Sequence, residues 1–522
     1  MNNGDETGIF PESTVEQGVQ NEAENNAMFY RRITSSTTDQ RSEAALLSAG
    51  SSTTTMDSQD DPKVQYKSAE EVLTKLGQWN PRLLLVSILM ASVWGITAFP
   101  IMITAFAVKP FKCPDNDTDC LEDVKRYHTI ADEFPGSEVW IEGFSSFYFI
   151  GNMIFGSIIS CFADLIGRRY IVIIALFLTG LFGCLAAFSR SLVLLLLFRF
   201  LQGSFYTPAA SVSWVLASES ICFKAHARTS MVFGLFWVLG YCLVALISYL
   251  FPNWHNMMLV SSMPALVFSL IFCFTVPESF CFLVENGRKQ EVSKWIQKYD
   301  LKKNVNCDVD SLLNSTNAED SHNQSHGVIG TMNYFKQHKI YVFYLITASA
   351  LWAFDFLVYN GMSLFSTSLV GNPYLNHVLA GAVEIPAYLF APQLMNRIGR
   401  KKTVIASHFF TTLSLLPLTF IKMENKFLYV SFWLLGKLGT SISFLSLFVY
   451  GSELFPTSIK NTCIGIASMF GNLGGICAYQ SHSLANIYPG LPMILFSSLS
   501  LVGGLVIFLF PETATHRLLT EN

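Results

Sequence analysis

The 522-residue chain is poor in charge, because Asp, Glu, Lys and Arg together make up only 14% of it. Soluble domains carry about a quarter, so the composition excludes a soluble globular protein. The formal net charge of −4 leaves no basic excess, which argues against a nucleic-acid partner. The chain is instead 51% hydrophobic, with 44 phenylalanines and a mean hydropathy of +0.39. These values predict an integral membrane protein.

Motifs for catalysis and for nucleotide or metal binding are missing as well. The sequence has no GxxxxGK[ST] phosphate loop, which argues against ATP-driven pumping, and no HExxH or GxSxG motif of an enzyme. Its 11 cysteines form no CxxC pair and show no spacing typical of a metal site. The sequence therefore predicts a protein that is not an enzyme and that has no resident cofactor or metal.

Long apolar stretches dominate the rest of the chain. A helix needs about 20 mostly apolar residues to cross the hydrocarbon layer, with its backbone groups paired internally. Twelve such stretches are present, six on each side of a polar segment. They predict an all-α membrane protein with twelve transmembrane helices in two six-helix halves. The predicted spans are 83–107, 139–162, 170–189, 191–215, 229–251, 256–276, 340–362, 374–395, 403–421, 427–449, 458–480 and 490–510.

The same pattern predicts five regions. Residues 1–65 are rich in Ser, Thr, Asn and Glu and are predicted to be a disordered tail. The N-terminal half covers 66–276, a middle loop with short helices covers 277–339, the C-terminal half covers 340–512, and a short tail covers 513–522.

Lysine and arginine in the loops predict the orientation. Loops after the second, fourth, eighth and tenth spans carry these residues, whereas 251–256, 363–373 and 481–489 carry none. The positive-inside rule therefore predicts a multi-pass protein, in the plasma membrane, with the middle loop and both termini in the cytoplasm. The loop 108–138 is then extracellular.

That predicted extracellular loop contains candidate modification sites. Asn116 begins the sequon Asn-Asp-Thr and is a predicted glycosylation site. Cys113 and Cys120 flank the sequon in the same loop, and we expect them to form a disulfide.

A six-residue sequence occurs at the same place in each half. DLIGRR follows the second span, and NRIGRK follows the eighth. Glycine allows a tight turn between helices, while arginine side chains stay at the membrane edge. This repetition indicates two related halves.

The repeat and the sequence RFLQG at 199–203 resemble the major facilitator superfamily, in which two six-helix halves surround a central cavity. Further motifs narrow this resemblance to the organic cation and organic anion transporter family, over about residues 70 to 515. They are PES at 277–279, VEIP at 383–386, ELFPT at 453–457 and PET at 511–513.

The resemblance implies that loop charges form contacts between the halves, which close the cytoplasmic side in the outward-facing state and break as the halves rock. The alternative is that these residues only anchor the topology. The gating and motif residues implied by the resemblance are Asp164, Gly167, Arg168, Arg169, Arg199, Gly203, Glu219, Arg228, Glu278, Gly399, Arg400 and Glu453.

Three charged residues lie within predicted spans of the C-terminal half: Asp355, Glu384 and Lys437. Each costs a few kcal/mol at the bilayer centre, so such residues usually face a cavity or a partner. Trp352 and Tyr359 lie three and four residues from Asp355, on one helix face, where a carboxylate between aromatic rings can bind an ammonium. The alternative is that both carboxylates only neutralise the lysine. The surplus carboxylate favours a cation.

Two further positions are candidate substrate contacts. Asn472 stands where cation-transporting members of the family have aspartate and anion-transporting members often have arginine, and Ala210 replaces a family tryptophan, while Trp214 supplies an aromatic ring one turn later. Other aromatic residues in the spans, such as Trp237 and Tyr241, are interpreted as packing residues. A neutral residue at 472 leaves the charge of the substrate open.

The chain also departs from the family pattern, because Phe280, Cys281 and Phe282 replace Pro-Arg-Trp and Asn396 replaces aspartate. The sequence predicts a carrier of small organic ions, chiefly cations, working by alternating access and facilitated diffusion. A potential of 100 mV supplies about 2.3 kcal/mol per charge, or roughly fifty-fold accumulation. The alternatives are an organic anion, a carnitine-like zwitterion or a sugar-type solute, or a transport-dead binding or sensory protein.

Overall fold

The structure is a computed structural model that describes residues 65–66, 68–108, 127–301, 305, 307–314, 335–421, 425–456 and 459–512. The predicted glycosylation site at Asn116 and the predicted disulfide between Cys113 and Cys120 lie outside the described residues. So do residues 1–64 of the predicted N-terminal tail and the C-terminal tail 513–522.

The described chain is helical, and its β-pairing is one isolated bridge between His128 and Asn253. The spanning helices, labelled α1 to α12, form two sets of six, and the predicted all-α architecture is confirmed. The first set is α1 Pro81–Ala107, α2 Trp140–Ile166, α3 Arg168–Ala187, α4 Leu192–Ser218, α5 Phe223–Leu250 and α6 Trp254–Thr275. The second set is α7 Lys339–Ser368, α8 Pro373–Ile398, α9 Arg400–Leu415, α10 Lys426–Gly451, α11 Thr462–Ile487 and α12 Leu491–Leu509.

Eleven of these helices are long and apolar enough to cross a membrane, within the part of the chain that the structure describes. The exception is α9, a 16-residue helix that continues as the 3₁₀ turn Leu416–Thr419. It is more polar because its buried side chains include Ser407, His408 and Thr411. Polar residues in a span need partners inside the protein.

Several spans are interrupted. Helix α1 contains Pro100 and breaks at Ile103, α2 contains the π-helical turn Asn152–Gly156, and α8 is interrupted at Val383. Such interruptions free or shift backbone groups and change which side chains share a face.

Short helices lie outside the bundle. Ala69–Leu76 precedes α1, and Phe280–Glu285 and Lys289–Tyr299 follow α6. Their apolar side chains, including Val72, Phe280 and Trp295, are buried in one hydrophobic cluster with residues of the N-terminal half.

The contacts between the halves run from the middle of the helices to one end. We call this the Tyr127 end, because it carries residues 127–137 and 369–372, and the opposite end, with Gly167 and Gly399, the Gly167 end. At the Tyr127 end, the Tyr374 hydroxyl donates to the Tyr127 hydroxyl over 3.0 Å, and Thr367 donates to the Ala105 carbonyl over 3.1 Å. Helices α5 and α8 and helices α2 and α11 form most of the remaining contact.

Candidate functional site

A buried ion pair lies in the middle of the C-terminal half. The Lys437 ammonium on α10 is 3.0 Å from Glu384 Oε1 on α8, and neither side chain is more than 1% exposed. The ammonium also lies 3.5 Å from the centre of the Tyr359 ring and donates to Ser363 Oγ over 2.6 Å. We call Glu384, Tyr359, Ser363 and Lys437, together with Tyr241, the ammonium cage.

The local sequence explains the position of Glu384. It is the first residue of the helical segment Glu384–Ile398, after the interruption at Val383. A carboxylate is stabilised at a helix N-terminus, where backbone N–H groups have no helical acceptor. The Pro386 ring suits the first turn of this segment, since no N–H is needed there. Glu384 Oε2 has no hydrogen-bond partner among the described residues, so this carboxylate retains an unused acceptor.

Two aromatic residues of the N-terminal half, Tyr241 in the cage and Trp237 beside it, contact the charged site. The Trp237 indole donates to the Tyr359 hydroxyl over 2.9 Å, and that hydroxyl donates to Glu384 Oε1 over 2.7 Å. The Tyr241 ring centre is 5.7 Å from the Lys437 ammonium, and its hydroxyl donates to the Ser363 carbonyl over 3.4 Å. Trp237 and Tyr241 are packed in a buried hydrophobic cluster, as interpreted from the sequence, and both also contact the charged site across the interface between the halves.

Asp355 does not join the ammonium cage. Its carboxylate accepts a hydrogen bond from Ser443 over 3.1 Å and lies 3.6 Å from Nε2 of His408 on α9. Trp352, one turn away, packs its ring edge-on against Phe448 at 5.6 Å. The predicted face of Trp352, Asp355 and Tyr359 thus packs along α10, and the three side chains have different partners there instead of sharing one site.

The other two predicted substrate contacts lie elsewhere. Asn472 on α11 accepts a hydrogen bond from the Asn152 amide of α2 over 2.8 Å, and so links the halves near the middle of both helices. Asn152 in turn accepts from the Thr207 hydroxyl over 2.6 Å. Trp214 is half-buried in the N-terminal half and packs edge-on against Phe233 at 5.0 Å.

Arg199 and Gly203 are buried on α4. Arg199 donates to the Pro100 carbonyl over 2.9 Å and to Gln202 over 2.8 Å, and its guanidinium lies 4.1 Å from the Phe144 ring centre. It thus supports α1 just before the break at Ile103. At Gly203, a Cβ atom would lie 1.9 Å from the Tyr148 carbonyl oxygen, so α2 and α4 are in backbone contact there.

At the Gly167 end, Arg168 pairs with residues of the N-terminal half and, at 4.0 Å, with Glu285 of the short helix that follows α6. Arg168 Nε is 3.1 Å from Glu219, and its Nη2 is 3.2 Å from Asp164. Burial raises the pKa of Glu219, which follows α4, whereas Ser279 and Arg168 act in the opposite direction. Phe282, one of the residues that replace the family's Pro-Arg-Trp, lies 4.7 Å below the Arg168 guanidinium.

The same arrangement occurs in the C-terminal half. Arg400 Nε is 3.2 Å from Glu453. Gly167 and Gly399 have φ of +121° and +95°, which side chains other than glycine rarely adopt. A carboxylate lies against each turn: Glu278 accepts from the Arg169 amide over 3.0 Å, and Glu512 accepts from the Lys401 amide over 3.4 Å.

Each of these recorded pairs stays within one six-helix half and the segment that follows it, so the predicted contacts between the halves stay a prediction for another conformation. Arg228 is also held within its half, where its guanidinium lies 3.7 Å from the Trp79 ring centre. Sequence reasoning missed His408 and Ser443 beside Asp355, Ser363 in the cage and Asn152 opposite Asn472. A histidine inside a predicted span was a usable signal, since polar residues there need partners.

Two six-helix halves that meet around a buried charged site define a membrane transporter of the major facilitator type. Two structures of the xylose transporter XylE from E. coli, in inward-open and partially occluded inward-open conformations, share this fold. Each has a TM-score of 0.62 and 15% identity, covering 83% and 84% of this chain and 97% and 99% of theirs. At this identity, the likeness shows the fold.

The chain belongs to the family described as Sugar (and other) transporter, whose model matches residues 82–520. This is a family of transporters and not of enzymes. A Caenorhabditis elegans protein named as a transporter, B0252.3, is 32% identical over 86% of this chain and 90% of its own length. The organic cation transporter protein of Drosophila melanogaster is 27% identical, over 70% of this chain and 66% of its own length.

Solute carrier family 22 member 3 of Mus musculus is 28% identical, over 67% of this chain and 63% of its own length. The match thus spans a little under two thirds of the length of this mouse protein and of the Drosophila organic cation transporter protein. The resemblance to the major facilitator superfamily, and within it to organic cation transporters, is confirmed.

Proposed function

We propose that the protein carries small organic cations across a membrane by alternating access, and that the ammonium cage is the substrate site. One observation carries this proposal: the cage already holds an ammonium group, that of Lys437. The group lies 3.0 Å from a carboxylate oxygen and 3.5 Å from the centre of a tyrosine ring. A substrate ammonium needs the same neighbours, since charge and cation–π attraction both favour it.

In this proposal, Lys437 occupies the cage between transport events, and the substrate displaces it. Glu384 Oε2, which has no partner among the described residues, provides a second contact for the incoming cation. Displacement keeps the site close to neutral, because one ammonium replaces another beside Glu384. Leaving the carboxylate buried without a cation would cost several kcal/mol.

The contacts between the halves at the Tyr127 end support alternating access. Trp237 and Tyr241 of α5 cover the cage from the N-terminal half. A rocking movement that separates α5 from α7 would uncover it toward the Tyr127 end. We therefore propose that the structure represents the state open at the Gly167 end, in which the contacts of Arg168 and Arg400 lie within their own halves. Trp352, Asn472 and Trp214 then act at the edges of the transport path, whereas Asp355 lies outside the ammonium cage and does not contact the substrate.

We further propose that the Gly167 end faces the cytoplasm and that the protein lies in the plasma membrane. Basic residues at this end, such as Arg168 and Arg400, support this orientation. The orientation places Asn116 outside the cell. Glycosidase treatment of the full chain should then increase its gel mobility, and Asn116→Gln should remove that shift. A shift that persists in Asn116→Gln would contradict the assignment of this site.

Tracer uptake in oocytes tests the substrate proposal. The panel contains tetraethylammonium, carnitine, a monocarboxylate such as benzoate, and xylose. We expect uptake of tetraethylammonium above the level of water-injected cells, and a loss of at least about tenfold in Glu384→Gln. The matched control is Glu291→Gln, which neutralises an exposed glutamate outside the bundle. Absence of uptake for the whole panel, with the protein at the cell surface, would instead support a transport-dead binding protein.

A second candidate substrate is a carnitine-like zwitterion. Lys437 and Glu384 present one positive and one negative group side by side, which matches a molecule that carries both charges. Uptake of carnitine without tetraethylammonium would favour this candidate. Uptake of benzoate or xylose alone would assign the carrier to an anion or a sugar.

A further inference from the structure

Asp355 and His408 form a buried acid–base pair outside the ammonium cage. Both residues are 2% exposed, and Ser443 between them is 1% exposed. His408 Nε2 lies 3.0 Å from Ser443 Oγ and 3.6 Å from Asp355 Oδ1. The three side chains come from α9, α10 and α7, so the cluster joins three helices of the C-terminal half.

The hydrogen bonds of this cluster require one hydrogen beyond that of the serine. Ser443 has a single hydroxyl hydrogen, which it can give to Asp355 Oδ2 or to His408 Nε2. If Asp355 receives it, His408 Nε2 must carry a hydrogen to bond with Ser443. If His408 receives it, Asp355 must itself be protonated to act as a donor. Neutral His408 already supplies that hydrogen in the first arrangement, whereas the second adds a proton to Asp355, so the cluster can form its hydrogen bonds with or without an extra proton.

Charge balance favours the arrangement with the extra proton. Lys437 of α10 is paired with Glu384 of α8 and is not available to Asp355. The ionisable side chains of α11 are Cys463 and Cys477 together with tyrosine and histidine at its far end, and the segment Leu491–Val506 of α12 has none. An ionised carboxylate this deeply buried is unfavourable without a positive partner. One proton, on Asp355 or on His408, removes the imbalance.

The packing around His408 is specific to its ring. A Cβ atom at Gly503 of α12 would lie 2.8 Å from Cε1 of His408, so glycine leaves the room that the imidazole occupies. One turn from Asp355 and Ser443 lie two more buried polar groups, Trp352 Nε1 and Ser446 Oγ, without hydrogen-bond partners among the described residues. They extend the polar surface along α7 and α10.

We propose that Asp355, Ser443 and His408 form a proton-binding site, and that one proton binds and leaves during each transport cycle. The proton comes from water on one side of the membrane and returns to water on the other, so no further reactant is needed. Coupling is mechanical. Helix α7 carries both Asp355 and Tyr359, and α10 carries both Ser443 and Lys437, so protonation acts on two walls of the cage. This inference rests on the proposed function for its coupling, although proton binding itself does not.

Purified full-length protein in liposomes tests the coupling, with tetraethylammonium as the probe and the membrane potential clamped at zero. One coupled proton should change the accumulation ratio by about tenfold for each unit of pH difference. A protonophore should abolish this effect. Asp355→Asn and His408→Gln should each lose the response to the pH gradient but still exchange labelled for unlabelled probe. His338→Gln, at the exposed start of α7, should retain it.

Infrared titration of the same preparations tests proton binding without transport. The carbonyl band of a protonated carboxyl should change with pH in the wild type, lack one component in Asp355→Asn and titrate over a shifted pH range in His408→Gln. If tetraethylammonium is not transported, the proposed function fails. The pH dependence of the carbonyl band then tests by itself whether Asp355 binds a proton. The inference is overturned if Asp355→Asn leaves the band unchanged, or if wild-type accumulation ignores the pH gradient.

Discussion

At the Gly167 end, the two halves repeat one arrangement. Arg168 contacts Glu219 at 3.1 Å in the N-terminal half, and Arg400 contacts Glu453 at 3.2 Å in the C-terminal half. In both halves the arginine follows a glycine with positive φ, and a carboxylate three residues beyond the sixth helix, Glu278 or Glu512, lies against that turn. The repeat in the sequence is therefore also a repeat in structure.

In the middle of the helices, corresponding positions differ. Gly203 lies as many residues before Glu219 as Lys437 lies before Glu453. Asn152 likewise precedes Gly167 by the same distance as Glu384 precedes Gly399. The N-terminal half thus has glycine and asparagine where the C-terminal half has a buried lysine and glutamate.

This difference indicates that the Gly167 end stabilises the fold, whereas the middle of the C-terminal half carries the reactive charged groups. The repeated contacts at the Gly167 end stabilise the turns and helix ends of both halves, and each half needs these for its own packing. The middle of the N-terminal half provides close backbone contact at Gly203 and a buried arginine that bonds to neutral groups. The middle of the C-terminal half holds the buried charged groups that we propose to act on a substrate and on a proton. Variants at corresponding positions can test this division.

The largest effect is expected from Lys437→Met, which removes the positive group from the C-terminal half. Glu384 would remain buried without a cation, and breaking a buried pair on one side costs about 3–5 kcal/mol. We expect a clear fall in the apparent melting temperature of the detergent-solubilised protein, measured by thermal shift. Tetraethylammonium should restore part of the loss, because it can take the place of the lysine in the cage.

A double variant separates stability from binding. Lys437→Met combined with Glu384→Gln removes both charges, so most of the lost stability should return, but tetraethylammonium should no longer stabilise the protein. If the single and double variants respond equally to tetraethylammonium, the cage is not the cation site.

The next largest effect is expected from Gly203→Ala, at the corresponding position of the N-terminal half. The new Cβ would lie 1.9 Å from the Tyr148 carbonyl oxygen, so α2 and α4 would have to separate. Overpacking of this kind costs about 1–3 kcal/mol. Gly465→Ala on α11 is the control, since its Cβ meets no atom within 4 Å. Equal melting temperatures for the two variants would contradict the close approach at Gly203.

The sequence alone could predict the arrangement at the Gly167 end and some of the residues in the middle of the helices. Twelve spans, the repeat and its charged residues follow from local patterns, and Glu384 and Lys437 stand out because charge within a span is costly. The partner of Asp355 could not be predicted, since the direction of its side chain depends on how α7 packs against α9 and α10. The contact of Trp237 with Tyr359 could not be predicted either, because aromatic residues are common throughout the spans.

Asn152 was missed for a different reason. The π-helical turn Asn152–Gly156 changes which side chains of α2 point toward α11. A regular α-helical repeat in the sequence does not predict this change. The ion pairs within each half, as opposed to pairs between halves, also depend on which conformation is observed. Local sequence contains no information on that choice.

The smallest effects are expected at the repeated edge, where Arg168→Lys and Arg400→Lys can be compared directly. Arg168 is 8% exposed and contacts Glu219 and Asp164, whereas Arg400 is 24% exposed and contacts Glu453. A lysine keeps the charge but has a single ammonium in place of the broad guanidinium, so fewer contacts survive. We expect losses of about 1–2 kcal/mol for Arg168→Lys and under about 1 kcal/mol for Arg400→Lys, measured as thermal shifts. Equal shifts would show that the contacts of Arg168 and Arg400 at the Gly167 end contribute the same stability as well as having the same geometry. The two halves would then differ only in the middle of their helices.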